Sequence, residues 1–321
     1  MPAYKCCFLV AKLPGWLVAA AFFTLWTCYG FISGVVAVPY NDIVARSVPS
    51  SRRSRLLAAR FFGGGVLALA VASAAHELLN RFDFLAGYGT VVMLAASVMA
   101  VSALCFVSAG EQDAPLPESP AASFKAFLGE GLRVLRRDRP FRLFLYVQWL
   151  GGAVNMALPF YILQIDSGRL VIAYAGIMLA AQTAGSLVSN PLWGWWGDQR
   201  GKLSLLLLVS SLNGLAPLAA LAWIFGIVGP DLAVLWFACV FFILGAVGNG
   251  RTIAYLGYLM EISPDNRRPA FSGYFNALVA PSVLLTLVGA GLAALFSFQV
   301  LFATTLGAAL VQVALLRRLQ T

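Results

Sequence analysis

The residues best equipped for chemistry crowd into one stretch, NPLWGWWGDQRGK, from Asn190 to Lys202. Apolar side chains run up to Trp196, and then Asp198, Gln199, Arg200 and Lys202 follow almost at once. A carboxylate beside cations can move a proton, help hold an anion, or pin a turn. The stretch half-imitates a phosphate-binding loop, in which a glycine precedes the Gly-Lys pair and a hydroxyl residue follows it. The match fails, because Trp196 stands at the first glycine and Leu203 at the hydroxyl position. No enzyme constellation appears elsewhere. The single histidine, His76, has no HExxH around it, there is no GxSxG, and Cys6, Cys7, Cys28, Cys105 and Cys239 lack metal-ligand spacing. Neither a metal nor another cofactor is expected, and the chain does not read as an enzyme.

A second group of polar residues is notable for its apolar setting. Arg251 follows Gly248-Asn249-Gly250 inside a long hydrophobic run. Two glycines there are expected to loosen a helix, and loosened backbone can bind a solute. Arg251 then reads as an anion contact or a gate residue, or as an arginine snorkelling to the interface. Gln148 and Asn155 are spaced to share one helical face, and Gln182 lies within another run. These amides suit either substrate contact or hydrogen bonds between helices. Tyr255 and Asn276 are further candidates. Asp42 and Glu261 fall near one end of their runs, and Asp166 and Asp231 near the other, so no carboxylate is placed at mid-membrane.

The elements that carry these residues are set by composition. Hydrophobic residues make up 60% of the 321 positions and charged residues 11%, against about 25% charged in soluble domains. Mean hydropathy is +0.84. The apolar residues form continuous runs long enough to cross a bilayer, which points to helices and away from a β-barrel. Nine spans are predicted, roughly 16–38, 61–79, 85–108, 141–163, 171–193, 203–227, 232–258, 271–296 and 300–316. The first and seventh are expected to continue as helix to about Val48 and Ser263.

Of the 22 Lys and Arg residues, 17 fall in alternate loops. They include Arg46 to Arg60, Lys125 to Arg142, Arg200 with Lys202, Arg267 with Arg268, and Arg317 with Arg318. Lys5, Lys12, Arg81 and Arg169 lie on the opposite side. Basic loops face the cytoplasm, so the C-terminus is expected inside and the N-terminus outside. The net charge of +9 thereby reads as a topology signal, and no nucleic-acid partner is expected. No cleavable signal peptide is evident in the first residues.

Three regions follow: a three-span part over 1–108, a linker over 109–140, and a six-span part over 141–321. The linker begins GEQDAPLPESPAAS and continues FKAFLGEGLRVLRRDR. Phe124, Phe127, Leu128, Leu132 and Leu135 fall near one helical face, with Arg133, Arg136 and Arg137 elsewhere, so a basic amphipathic helix in the cytoplasmic interface is expected. Pro49, Arg52 and Arg53 of VPSSRR match Pro264, Arg267 and Arg268 of SPDNRR at a constant offset of 215. Each set leaves one apolar helix and enters another, the mark of a parallel repeat of helical bundles.

GWWGDQRGK resembles the cytoplasmic loop signature of the major facilitator superfamily, a Gly-x-x-x-Asp-Arg-x-Gly-Arg/Lys pattern. Gly194, Asp198, Gly201 and Lys202 match it and Gly197 takes the small-residue place, while Gln199 replaces the usual arginine and Arg200 follows. YLMEISPDNRRPAFSGYFNAL and NDIVARSVPSSRRSRLLAARFFGGG resemble the loops after the fourth helix of each bundle in bacterial members. The resemblance implies helices four to twelve of a twelve-helix transporter, with an incomplete N-terminal bundle and a complete six-helix C-terminal one. It also implies a permease of the bacterial inner membrane that moves an unidentified small molecule or ion by alternating access. The signature loop would act as its gate. The alternatives are a non-transporting scaffold or receptor, a fragment of a transporter, or a chain whose missing helices come from a second membrane protein.

Overall fold

A computed structural model describes residues 14–108, 123–164, 170–264 and 267–320. The polar start of the linker, Asp166, Arg169 and the side chain of His76 lie outside what is described. Among the described residues the regular structure is helical, with no strand. The helices are α1 Gly15–Ser47, α2 Ser50–Arg81, α3 Phe84–Ser108, α4 Phe124–Arg137, α5 Arg139–Asn155 and α6 Leu170–Gln199. They continue as α7 Lys202–Asn213, α8 Leu215–Ile224, α9 Ala233–Ile262, α10 Arg268–Val279, α11 Leu285–Leu295 and α12 Phe298–Gln320.

Among the described residues, 8 helical stretches are long and apolar enough to cross a membrane. The chain is therefore an integral, all-α, polytopic membrane protein. The fifth span expected from the sequence falls on α6, which is 30 residues long but is not one of those stretches. Two spans are built from joined pieces. Gly214 separates α7 from α8 within the stretch Lys202–Ile224. Pro281 has no N–H to give, and α10 passes into α11 through a tighter helical turn over Ala280–Leu284. α1 and α9 end at Ser47 and Ile262, close to the limits expected.

The chain divides into two compact units: Met1–Ser47 with Gly64–Ala114, and Val48–Gly63 with Pro115–Thr321. In the first, large apolar side chains point outward, and Trp16, Phe22, Phe23 and Trp26 are each more than half exposed. Water would penalise such a surface and lipid would not.

In the second unit, α6 packs along α9, and α5 and α7 pack along α12. Phe141, Phe144 and Phe275 form an aromatic knot with ring centroids 5.5 Å apart for Phe141–Phe275 and 4.7 Å for Phe144–Phe275. A separate apolar cluster gathers Met156, Tyr161, Val240 and Phe302.

The α6–α9 contact depends on glycine. A Cβ at Gly185 would run into the Phe242 carbonyl, and one at Gly245 into the Gln182 carbonyl. The two backbones touch reciprocally, as small residues allow in membrane helices. The expected loosening at Gly248-Asn249-Gly250 does not occur, because α9 is continuous through it. A Cβ at Gly250 would lie 2.8 Å from Val209 and 2.9 Å from the Trp193 indole. Asn249 donates to Asn190 Oδ1 at 3.2 Å. Close packing explains Gly250, whereas the space around Gly248 is open.

Candidate functional site

Two polar sites lie in the second unit, and the paired helices α6 and α9 serve both. The first is a cluster at the end of the bundle that carries the basic loops. Asp198, at the end of α6, has a fully buried side chain. Its oxygens accept from the backbone N–H groups of Ser54 at 2.9 Å and Arg55 at 3.1 Å. Those groups belong to the beginning of α2, where an anion is favoured by the helix dipole. From the sequence Asp198 can either cap the next helix or meet a helix N-terminus; α7 is capped by Gly201 with no side-chain bond, and the carboxylate lies at α2 instead.

Lys202 supplies the opposite charge. Its ammonium donates to the Ser50 carbonyl at 2.5 Å, and lies 3.3 Å from Glu261 and 4.0 Å from Asp198. Ser50 Oγ donates to Glu261 at 2.6 Å. Asp198 and Lys202 thus grip the two backbone groups, Ser54 N–H and Ser50 C=O, that one helical turn would join. A carboxylate from the end of α9 completes the cluster. The lysine is 4% exposed, so its charge is compensated away from water.

Glycines make the cluster possible. A Cβ at Gly194 would stand 2.9 Å from Ala58 Cβ, and one at Gly197 2.5 Å from Ser54 Oγ. A Cβ at Gly257 would stand 2.6 Å from the Lys202 stem. Gly201 has φ 88° and ψ 154°, a conformation almost confined to glycine. Arg200 remains outside the cluster, exposed, with its guanidinium 5.4 Å from the Trp196 ring centre. Ser50, Ser54 and Gly257 are members the sequence did not single out, and Glu261 was placed only near the end of its run. A glycine one turn before a carboxylate is the only trace Gly257 leaves there.

The two loops related by the offset of 215 share one backbone hydrogen bond at matching positions. Arg52 N–H donates to the Pro49 carbonyl at 3.0 Å, and Arg267 N–H donates to the Pro264 carbonyl at 3.0 Å. The following arginines, Arg53 and Arg268, are both buried. Arg53 Nε donates to the Val48 carbonyl at 2.8 Å. Arg267 pairs with Glu130 of α4. That helix sits on the bundle, with Gly131 against Tyr274 and Val134 and Leu135 against the core. Arg133, Arg136, Arg137 and Leu132 face outward.

The second site is a cavity of about 610 Å³. Gln148 and Asn155 from α5, Gln182 from α6, and Arg251 and Tyr255 from α9 line it. Asn249 does not, being turned toward Asn190 of α6. Tyr255 donates to Asn276 Oδ1 at 2.8 Å. Thr252 and Ser282 also line the cavity and were not anticipated. Arg251 is the one charged residue among the described lining residues. Along α6, Asp198 lies about 24 Å beyond Gln182 at roughly 1.5 Å per residue, and along α9 Glu261 lies about 15 Å beyond Arg251. No group of three or more His, Cys, Asp or Glu residues suited to a metal occurs among the described residues.

No family profile matches the chain. Uncharacterized proteins of Mycobacterium bovis and of two Mycobacterium tuberculosis strains are similar to it, each 24% identical over 204 residues. The match covers 63% of this chain and 39% of each relative. The aligned part thus spans about two-fifths of the length of these curated relatives.

Proposed function

We propose that the protein is a secondary transporter of the major facilitator type, moving a small solute through the bacterial inner membrane by alternating access, with no covalent chemistry. The observation that carries this reading is a cavity of about 610 Å³ among apolar helices, with amides and a guanidinium in its wall. Its volume suits a small molecule, and amides and a guanidinium are costly there without a purpose.

The buried cluster around Asp198 and Lys202 supplies the gate. It holds the first residues of α2, a helix that belongs to the first repeat by the offset of 215. The matching backbone bonds to the Pro49 and Pro264 carbonyls support that repeat. In this arrangement α6 is a ninth span, the basic loops and the C-terminus are cytoplasmic, and the signature loop breaks and re-forms as access alternates.

The test is uptake by the full chain reconstituted in proteoliposomes, with panels of labelled sugars, amino acids, organic anions and organic cations. Flux is expected for one class, falling at least tenfold in Asp198→Asn. A folded chain that passes none of them, alone or with a membrane partner recovered from native membranes, refutes the reading. A stable complex without flux would instead favour a scaffold or receptor.

A further inference from the structure

The groups around the cavity are unevenly satisfied. Thr252 donates to the Gly248 carbonyl at 3.1 Å and Tyr255 to Asn276, so those protons are engaged. Gln148 Nε2 is buried and has no hydrogen-bond partner. Arg251 lines the same cavity, and among the described residues no carboxylate does. No described acidic side chain forms an ion pair with Arg251, whereas Arg46, Arg55, Arg81, Lys202 and Arg267 each meet one. The site therefore offers one uncompensated positive charge and a spare amide donor, in a setting where uncompensated charge is expensive.

We propose that the cavity binds a small organic monoanion, with its carboxylate or phosphate head against Arg251 and Gln148. The planar guanidinium fork matches paired anionic oxygens, and the Gln148 amide adds a donor that nothing in the protein uses. Asn155 and Gln182 offer both donors and acceptors to a polar, uncharged body. A second negative charge would find no second cation in the lining. The volume admits a metabolite-sized molecule. This deepens the transporter reading, but anion binding stands or falls separately from flux.

The experiment measures thermal unfolding of the full chain in phosphatidylcholine nanodiscs, whose lipids carry no net charge. Millimolar lactate is compared with lactamide, and dimethyl phosphate, which carries a single charge, with neutral trimethyl phosphate. At least one anion is expected to raise the midpoint while its uncharged partner does not, since a ligand that binds only the folded state stabilises it by mass action. The carboxylate and phosphate arms decide which head is preferred.

Arg251→Gln is expected to weaken the response about tenfold or more, the size of a lost charge-assisted hydrogen bond. Arg251→Lys should retain part of it, because the charge stays and the fork is lost. Should Arg251→Gln not fold, Arg251→Lys and Gln148→Leu carry the test, and each should weaken the anion response without lowering the unliganded midpoint. The proposal is overturned if no anion shifts the wild type, if anion and uncharged partner act alike, or if the folded variants respond as the wild type does. Anion binding without flux would refute transport alone. Flux of a neutral or cationic solute without an anion response would refute the anion site alone.

Discussion

Replacing Asp198 by Asn tests whether the end cluster is a structural lock or a chance meeting of charges. The carboxylate is fully buried and accepts two backbone N–H groups, at 2.9 and 3.1 Å. Asparagine keeps one acceptor and turns an NH2 group toward the other N–H. One hydrogen bond to a charged group is lost, at about 1.5–3 kcal/mol. Lys202 also loses a counter-charge. Breaking a fully buried pair costs about 3–5 kcal/mol, but Glu261 at 3.3 Å and the Ser50 carbonyl at 2.5 Å still hold the lysine. The combined loss is therefore expected at about 2–4 kcal/mol.

Arg55 provides the control. It faces the same carboxylate at 3.8 Å but is 58% exposed. Arg55→Gln is expected to change stability by no more than about 0.5–1 kcal/mol. The assay is reversible unfolding in mixed micelles, followed through Trp193, Trp195 and Trp196, which stand just before Asp198. A double-mutant cycle with Lys202→Met completes it, with a coupling of at least about 0.5 kcal/mol expected for groups sharing one network. An Asp198→Asn effect no larger than that of Arg55→Gln, or strict additivity with Lys202→Met, would refute the lock.

Two backbone predictions use the same unfolding measurement. Gly201→Ala is expected to cost about 1–3 kcal/mol from its φ alone, since nothing lies within 4 Å of the added carbon; a neutral result would contradict the turn. Gly245→Ala would drive a carbon into the Gln182 backbone and is expected to cost about 1–3 kcal/mol or more. Gly248→Ala, in open space within the same helix, should be neutral or gain up to about 1 kcal/mol, and equal losses at both sites would rule out the close contact.

What the sequence disclosed, and what it hid, divides along physical lines. Long apolar runs dictate membrane helices, because the bilayer leaves the backbone no other way to satisfy its polar groups. The spacing of Gln148 and Asn155 gave their shared face, because a helix is periodic. The partners of Asp198 were not legible, since Ser54 and Arg55 lie far off in the chain and offer backbone N–H groups that any residue carries. Gly248-Asn249-Gly250 misled for a related reason. A glycine pair permits either unwinding or close packing, and Val209, Trp193 and Asn190, from other helices, decide between them. The linker helix was foreseen as amphipathic, but its docking beside Tyr274 depends on Gly131, a small residue whose neighbour cannot be read from its own helix.

The reciprocal contact of Gly185 with Phe242 and of Gly245 with Gln182 fixes the register between α6 and α9. Backbone against backbone leaves no side chain that could yield, so the two helices behave as one stiff beam. One region of that beam reaches the cavity through Gln182 and Arg251, and its far end enters the charged cluster through Asp198 and Glu261. A tilt of the pair would displace residues at both places. By thermodynamic reciprocity, any coupling of a solute at the cavity to the cluster would be matched by an equal coupling of the cluster to the solute. The cluster and the cavity would then report on one another without sharing a residue.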